Sequence, residues 1–248
     1  MGGGVAVAYI HPPEVAASFH KSLLQLMLWD AGHKGRIVGR GGHLANVTAS
    51  GRLSQGRNEL TRAFLDDLDA EWLWMVDADM GFAPDTVDRL VDSADRHLRP
   101  VVGGLCFGQK RVGVGEFGQE RFAPFPTLYQ WEERSDSDVG FRIMMDWPRG
   151  RMVQVGATGA ACLLIHRRLL DKIRDAYGDV WWDHITHPGG TTFSEDMSFC
   201  VRVAAVDKPI FVDTSVKTSH MKNVYLDEQW YDAAHGLADE GGSDADVA

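Results

Sequence analysis

No apolar run in this 248-residue chain approaches the ~18 residues that a membrane-crossing helix needs. Cysteine is scarce. Cys106, Cys162 and Cys200 are far apart, odd in number and set in apolar surroundings. That argues against a disulfide framework and for reduced core thiols in a cytoplasmic protein. Met1-Gly2-Gly3-Gly4 offers no basic stretch, and the apolar segment behind it is too short for a secretion signal. Basic charge is also in deficit. The net charge is −10, which lacks the footprint of a dedicated nucleic-acid binder. Residues 227–248 hold seven acidic residues and no Lys or Arg, and 239–248 reads as an acidic, disordered tail. Gly156 to Ala161 is rich in small residues, but no Gly-Lys-Ser/Thr follows it, so it is not a P-loop.

What is present is a core-forming composition, 44% hydrophobic with 10% aromatic residues. Val5 to Ile10 reads as a buried strand. His11-Pro12-Pro13 turns the chain, and a helix follows with Val15, Phe19, Leu23, Leu26 and Met27 on one face. Gly35 to Gly41 reads as a second strand. Leu53 to Leu68 is a predicted helix with Leu53, Leu60, Phe64 and Leu68 as its stripe. Trp72 to Val76 is the central strand. A helix after Pro84 presents Val87, Leu90, Val91 and Ala94, and Pro100 to Phe107 is the next strand. This alternation predicts an α/β fold with a mostly parallel sheet covered by helices on both faces.

Regularity breaks near Gly108, and a small antiparallel ribbon is expected from Thr127 to Glu133 and Phe141 to Trp147. Order returns with Val153 to Ile165 and a helix from Arg167 to Ala176. Trp181 to Thr192 is an irregular loop. A helix over Ser194 to Ala205, a strand over Pro209 to Val212 and a terminal helix over Asp227 to Ala238 complete the pattern. The expected organisation is one domain over 1–238, with a nucleotide-binding half (5–107) and an acceptor-binding half (108–225).

The sequence contains four Asp-x-Asp triplets: Asp67/Asp69, Asp77/Asp79, Asp136/Asp138 and Asp244/Asp246. Only the Asp77 copy ends an apolar run, Trp72-Leu73-Trp74-Met75-Val76. A buried strand ending this way sets two hard oxygen ligands at the mouth of a sheet, suited to a divalent cation that carries a nucleotide diphosphate. The alternative is that the pair merely caps the turn before Pro84. Glu195 and Asp196 open a helix behind Ser194, where acids offset the helix dipole and Ser is a good N-cap. A helix N-terminus also keeps a carboxylate ionised, as a base requires. Trp181, Trp182, His184 and His187 crowd one loop. They read either as an acceptor platform or as core residues, and a closed zinc set is missing.

The segments VAVAYI, Arg57-Asn58, WLWMVDADMGFAPD, TGAACLLIHRRLL, FSEDMSFCVRVA and TSHMKN together resemble the GT-A (Rossmann-like) class of nucleotide-sugar glycosyltransferases. They run in the expected order over roughly residues 5–225. The later segments resemble the layout of polypeptide N-acetylgalactosaminyltransferases, which are retaining. The Glu-Asp pair is also similar to that of inverting family-two enzymes. The compact size resembles small phage and actinobacterial glycosyltransferases.

The resemblance implies a metal set of Asp77, Asp79 and His220 holding Mn2+ or Mg2+. A mixed His/carboxylate set suits Mn2+ better. Asp77 has an alternative place at the ribose. The donor site is expected to involve Ile10 and His11 at the end of the first strand, Arg57 on its helix, Asp77, and Lys222 as a point charge for the diphosphate. Asp196, with Glu195, is the expected catalytic or sugar-positioning pair. The expected function is transfer of a hexose or N-acetylhexosamine from a nucleoside-diphosphate sugar, UDP first, to a hydroxyl acceptor. A protein side chain is the first expectation for that acceptor. Two rivals stand beside it. One is a sugar-phosphate nucleotidyltransferase, against which His11-Pro12-Pro13-Glu14 speaks, because no Gly-rich basic loop follows the first strand. The other is a non-catalytic glycan- or nucleotide-binding relic. Donor sugar, stereochemistry and oligomeric state are not encoded in any motif found.

Overall fold

A computed structural model of the chain describes residues 3–48, 52–135, 138–224, 228 and 230. The terminal helix expected from Asp227 falls largely outside these residues, and the acidic tail wholly so. The chain divides into two compact units, Met1–Gly108 with Phe125–Met221, and Gln109–Pro124 with Lys222–Ala248.

In chain order the elements are β1 (Val5–His11), α1 (Ala17–Gly32), β2 (His43–Thr48), α2 (Leu53–Asp67), β3 (Trp72–Val76), β4 (Met80–Phe82), α3 (Thr86–Ser93), β5 (Val101–Leu105), β6 (Phe107–Val114) and β7 (Glu120–Pro126). They continue with β8 (Leu128–Ser135), β9 (Asp138–Ile143), β10 (Met152–Val155), β11 (Ala157–Thr158), β12 (Cys162–His166), α4 (Arg167–Tyr177), α5 (Glu195–Ala205) and β13 (Ile210–His220).

The main sheet has the order β10-β13-β5-β12-β3-β1-β2, with β4 added on β13. β1 is parallel to β2 and β3, and β13 is parallel to β5. β12 is antiparallel to both β3 and β5, so those two run the same way and the sheet is mixed but mostly parallel. Side chains alternate across it, as strand geometry requires. Ala6, Ala8, Leu73 and Met75 pack with Leu60 and Phe64 of α2, Leu169 and Ile173 of α4, and Phe199 and Val203 of α5. Val5, Val7, Trp72, Trp74 and Val76 face the other way, onto Phe19 and Leu26 of α1 and Val87 and Leu90 of α3. Helices therefore cover both faces. The expected ribbon is present as β11-β8-β9, antiparallel throughout. The second unit is built on the two-stranded β6-β7 sheet. Among the described residues no helix is long and apolar enough to cross a membrane.

Two expectations need correction. Gly35 to Gly41 is not a strand. Gly35 and Gly41 take φ of +59° and +70°, left-handed values that break extended chain. The Asp30 carboxylate accepts the N–H groups of Ile37 and Val38, folding the segment back on α1. The strand lies later, at β2, where polar His43, Asn46 and Thr48 mask a half-buried edge. The last strand also does not stop at Val212. β13 continues to His220 through a register shift between Asp213 and Lys217, and that extension builds the site.

Candidate active site

β3 ends at Val76, and the Met80 N–H bonds back to the Asp77 carbonyl. This tight turn presents Asp77 and Asp79 at the C-terminal end of the parallel strands. The chain then forms β4, whose residues Phe82, Gly81 and Met80 pair with Thr218, Ser219 and His220 of β13. That pairing carries His220 to Asp79 across 141 positions of sequence. A Cβ at Gly81 would sit 2.5 Å from Ser219 Oγ, so a side chain there would force the Ser219 hydroxyl to move. The Met221 N–H closes the arrangement on the Asp79 carbonyl.

The ligand atoms of Asp77, Asp79 and His220 lie within 4.8 Å of one another. His220 Nδ1 is 2.8 Å from the Phe107 carbonyl, and Nε2 is 3.0 Å from the Asp79 carboxylate. A carbonyl only accepts, so Nδ1 carries a proton and donates it. Nε2 is thereby the nitrogen offered to a cation, the usual way an outer hydrogen bond fixes a ligating tautomer. Two carboxylates and one oriented imidazole form a group that could hold a metal ion.

Behind this group sits Arg57, buried on α2 at 3% exposure. Its guanidinium donates to Asp77 at 3.0 Å, to Glu195 at 3.0 Å and to Asp196. Trp182 lies beneath it, 5.4 Å from the guanidinium. Arg57 is thus turned inward, gathering three carboxylates, instead of reaching into an open nucleotide site. Burial would lower its pKa, but Asp196, Asp77 and Glu195 outweigh burial and hold it charged. Three carboxylates on one cation leave the cluster net negative. Burial first, then Glu195 and Asp77, push the Asp196 carboxyl up to about 6, against the opposing pull of Arg57 and the Ala160 N–H. Ser194 sits at the N-cap of α5 but makes no capping hydrogen bond through its side chain. Glu195 and Asp196 nonetheless fill the first turn of α5, where acids offset the helix dipole.

No family model matches the sequence, and no curated protein matches it either. Among solved structures, GalNAc-T7 with UDP, GalNAc and Mn2+ aligns at a TM-score of 0.56 and 10% identity, over 89% of this chain and 43% of that one. This chain has the GT-A fold. It spans less than half the length of GalNAc-T7. A197 from STIV aligns at a TM-score of 0.46 and 14% identity, over 88% of this chain and 86% of that one. The catalytic domain of Drosophila beta1,4galactosyltransferase 7 in complex with xylobiose aligns at 0.44 and 14%, over 89% and 71%.

Within this GT-A sheet the remaining predicted residues fall as follows. Ile10 and His11 end β1, parallel to β3. Ile10 packs against Gly56, where a Cβ would meet its Cδ1 at 2.8 Å. His11 bonds to the Pro12 carbonyl and faces Asn46. Lys222 belongs to the second unit. Trp181 and Trp182 are fully buried, which removes them as an acceptor platform. The Trp182 indole N–H donates to Thr61 and the Trp181 indole N–H to the Leu170 carbonyl. His184 bonds to the Phe193 carbonyl, and among the described residues no zinc set forms around it or His187.

Asn58, to which no role was assigned beyond the Arg57-Asn58 segment, clamps the 181–183 loop. Its amide donates to Asp183 at 2.6 Å and accepts the Trp182 N–H at 3.0 Å. An open cleft of about 460 Å3 beside Asp196 was also missed. Tyr129, Phe141 and Phe193, which help to line it, come from three separate segments, with no local pattern to unite them.

Proposed function

We propose that the chain is a cation-dependent glycosyltransferase. It moves a hexose or N-acetylhexosamine from a nucleoside-diphosphate sugar, UDP-linked in the first instance, to a hydroxyl. The observation that carries this is the convergence of Asp77, Asp79 and His220 within 4.8 Å, joined through Arg57 to Glu195 and Asp196. The neighbour solved with UDP, GalNAc and Mn2+ supports the same assignment.

Asp77, Asp79 and His220 would hold the ion, whose chemistry is to neutralise the departing diphosphate as a Lewis acid. Asp196 accepts the proton of the acceptor hydroxyl as its oxygen bonds to the sugar's anomeric carbon. The bond from that carbon to the diphosphate breaks, and the diphosphate leaves with the electron pair. Such a single displacement inverts the anomeric centre; under retention, which the resemblance to polypeptide N-acetylgalactosaminyltransferases implies, Asp196 and Glu195 position the sugar instead. Arg57, which also bonds Glu195, holds Asp196 in place.

Incubation with Mn2+ and a panel of UDP- and GDP-sugars is expected to release the nucleoside diphosphate, and a chelator is expected to stop the release. No release from any donor, with no binding of UDP in the presence of Mn2+, would reject the reading.

A base must be ionised, and Asp196 titrates at about 6. Below that pH it is protonated and cannot take the acceptor proton. Transfer is therefore expected to rise with pH through about 6 and level off above about 7. Asp196→Asn is expected to lose that limb together with about 10²-fold or more of the rate. A flat wild-type profile between pH 5 and 8 would remove Asp196 from the role. The same shift acts on stability. A raised folded-state value means that the stabilising contribution is full below the ordinary carboxylate range and is lost as pH rises through about 6.

A further inference from the structure

We infer that the acceptor is an uncharged saccharide, seated in the cleft beside Asp196 with one face on an aromatic wall; this rests on the glycosyl-transfer reading. The cleft measures about 460 Å3, within the ~300–1,000 Å3 typical of small-molecule sites. Its aromatic lining is Tyr129 and Phe141, both half-buried, and Phe193, of which 6% is exposed. Phe141 and Phe193 pack edge to face, with centroids 5.6 Å apart, and Trp131 extends the group 5.2 Å from Phe141. The π faces of such rings are electron-rich and attract the C–H groups on the apolar face of a pyranose.

Polar lining comes from Thr127, Thr192 and Asp196, with Thr191 and Ser194 adding hydroxyls. Hydroxyls both donate and accept, matching a polyol. Burial, then Asp196, pushes the Tyr129 phenol up to about 12, so it stays a donor at neutral pH.

Charge selects against the alternatives. Asp196 is the one charged residue lining the cleft among those described, and it is acidic. No Lys or Arg in that lining would hold the phosphate of a lipid carrier or a nucleic acid.

Saturation-transfer NMR on the whole chain with UDP and Mn2+ would test this. The probes are neutral gluco-, cello- and chito-oligosaccharides, Ser/Thr peptides and a polyprenyl phosphate. The oligosaccharides are expected to take up saturation on one ring face. Phe141→Ala is expected to weaken that binding about tenfold. Thr192→Trp, which fills the exposed rim without opening the core, is expected to weaken it at least as much. Circular dichroism of each variant separates lost binding from lost fold. Saturation of the peptide or the phosphate in place of the saccharides would overturn the inference. So would silence from every saccharide while UDP and Mn2+ bind normally, and both outcomes leave glycosyl transfer standing. Saccharide binding without any UDP binding would uphold the cleft and sink the transfer reading.

Discussion

Replacing Asp79 with alanine is expected to remove cation binding and with it nearly all transfer. Asp79 touches two parts of the site. Its carboxylate is one of three groups within 4.8 Å, and it faces His220 Nε2 at 3.0 Å. Its loss takes away one oxygen ligand and the neighbour that faces the imidazole. Mn2+ affinity, read by titration calorimetry or electron paramagnetic resonance, is expected to fall by at least about 100-fold. Diphosphate release is expected to fall about 10³-fold. The core is untouched, since Asp79 lies beyond the end of β3 and outside both apolar layers. The melting temperature is therefore expected to move little. Unchanged Mn2+ affinity in Asp79→Ala would dismantle the assignment of this cluster as a cation site.

Replacing Arg57 with methionine is expected to damage stability most. Methionine keeps much of the buried stem but strips the positive charge from three carboxylates. Breaking a buried pair by removing one partner costs roughly 3–5 kcal/mol. The Arg57 side chain is 4% exposed, Glu195 14% and Asp196 24%, so those two contacts carry most of the loss. Asp77, at 36%, is discounted for solvent screening. A loss of that size corresponds to a fall in melting temperature on the order of 10 °C for a chain this long. The deficit has a direction in pH. Without Arg57 the Asp196 carboxyl moves further above its value of about 6, so its ionisation costs more. The gap between variant and wild type is expected to be wide at pH 8 and to narrow toward pH 5, where the carboxyl is protonated. A gap independent of pH would mean that Arg57 acts through packing on Trp182 and not through charge.

Much of this architecture was legible in the residues. The continuous apolar runs of β1 and β3 and the helical stripe of α3 come from local patterns that fold as they read, and in α2 Leu60 and Phe64 are buried while Leu53 is exposed. The Asp77 copy of the acidic triplet stood out because a strand buried on both faces must be apolar until it leaves the sheet. Long-range partners were less legible. Nothing within Thr218 to Lys222 announces that three residues after Asp79 will pair with it, so His220 was reached through motif order rather than chemistry. Arg57 read as a nucleotide contact because its three acidic partners lie 20, 138 and 139 positions away. Gly35 to Gly41 read as a strand because left-handed glycines leave no mark in hydropathy. Trp181 and Trp182 read equally as platform or core. Their indole hydrogen bonds to the Leu170 carbonyl and Thr61 settle them as core.

The pairing of β4 with β13 has one more consequence. It sets three residues a side against one another, and Met80 and Phe82 are themselves anchored in the apolar layer shared with α1 and α3. The strand that meets His220 is therefore clamped by the core. An arriving cation would find its socket already shaped, and seating it would ask for little movement of the chain.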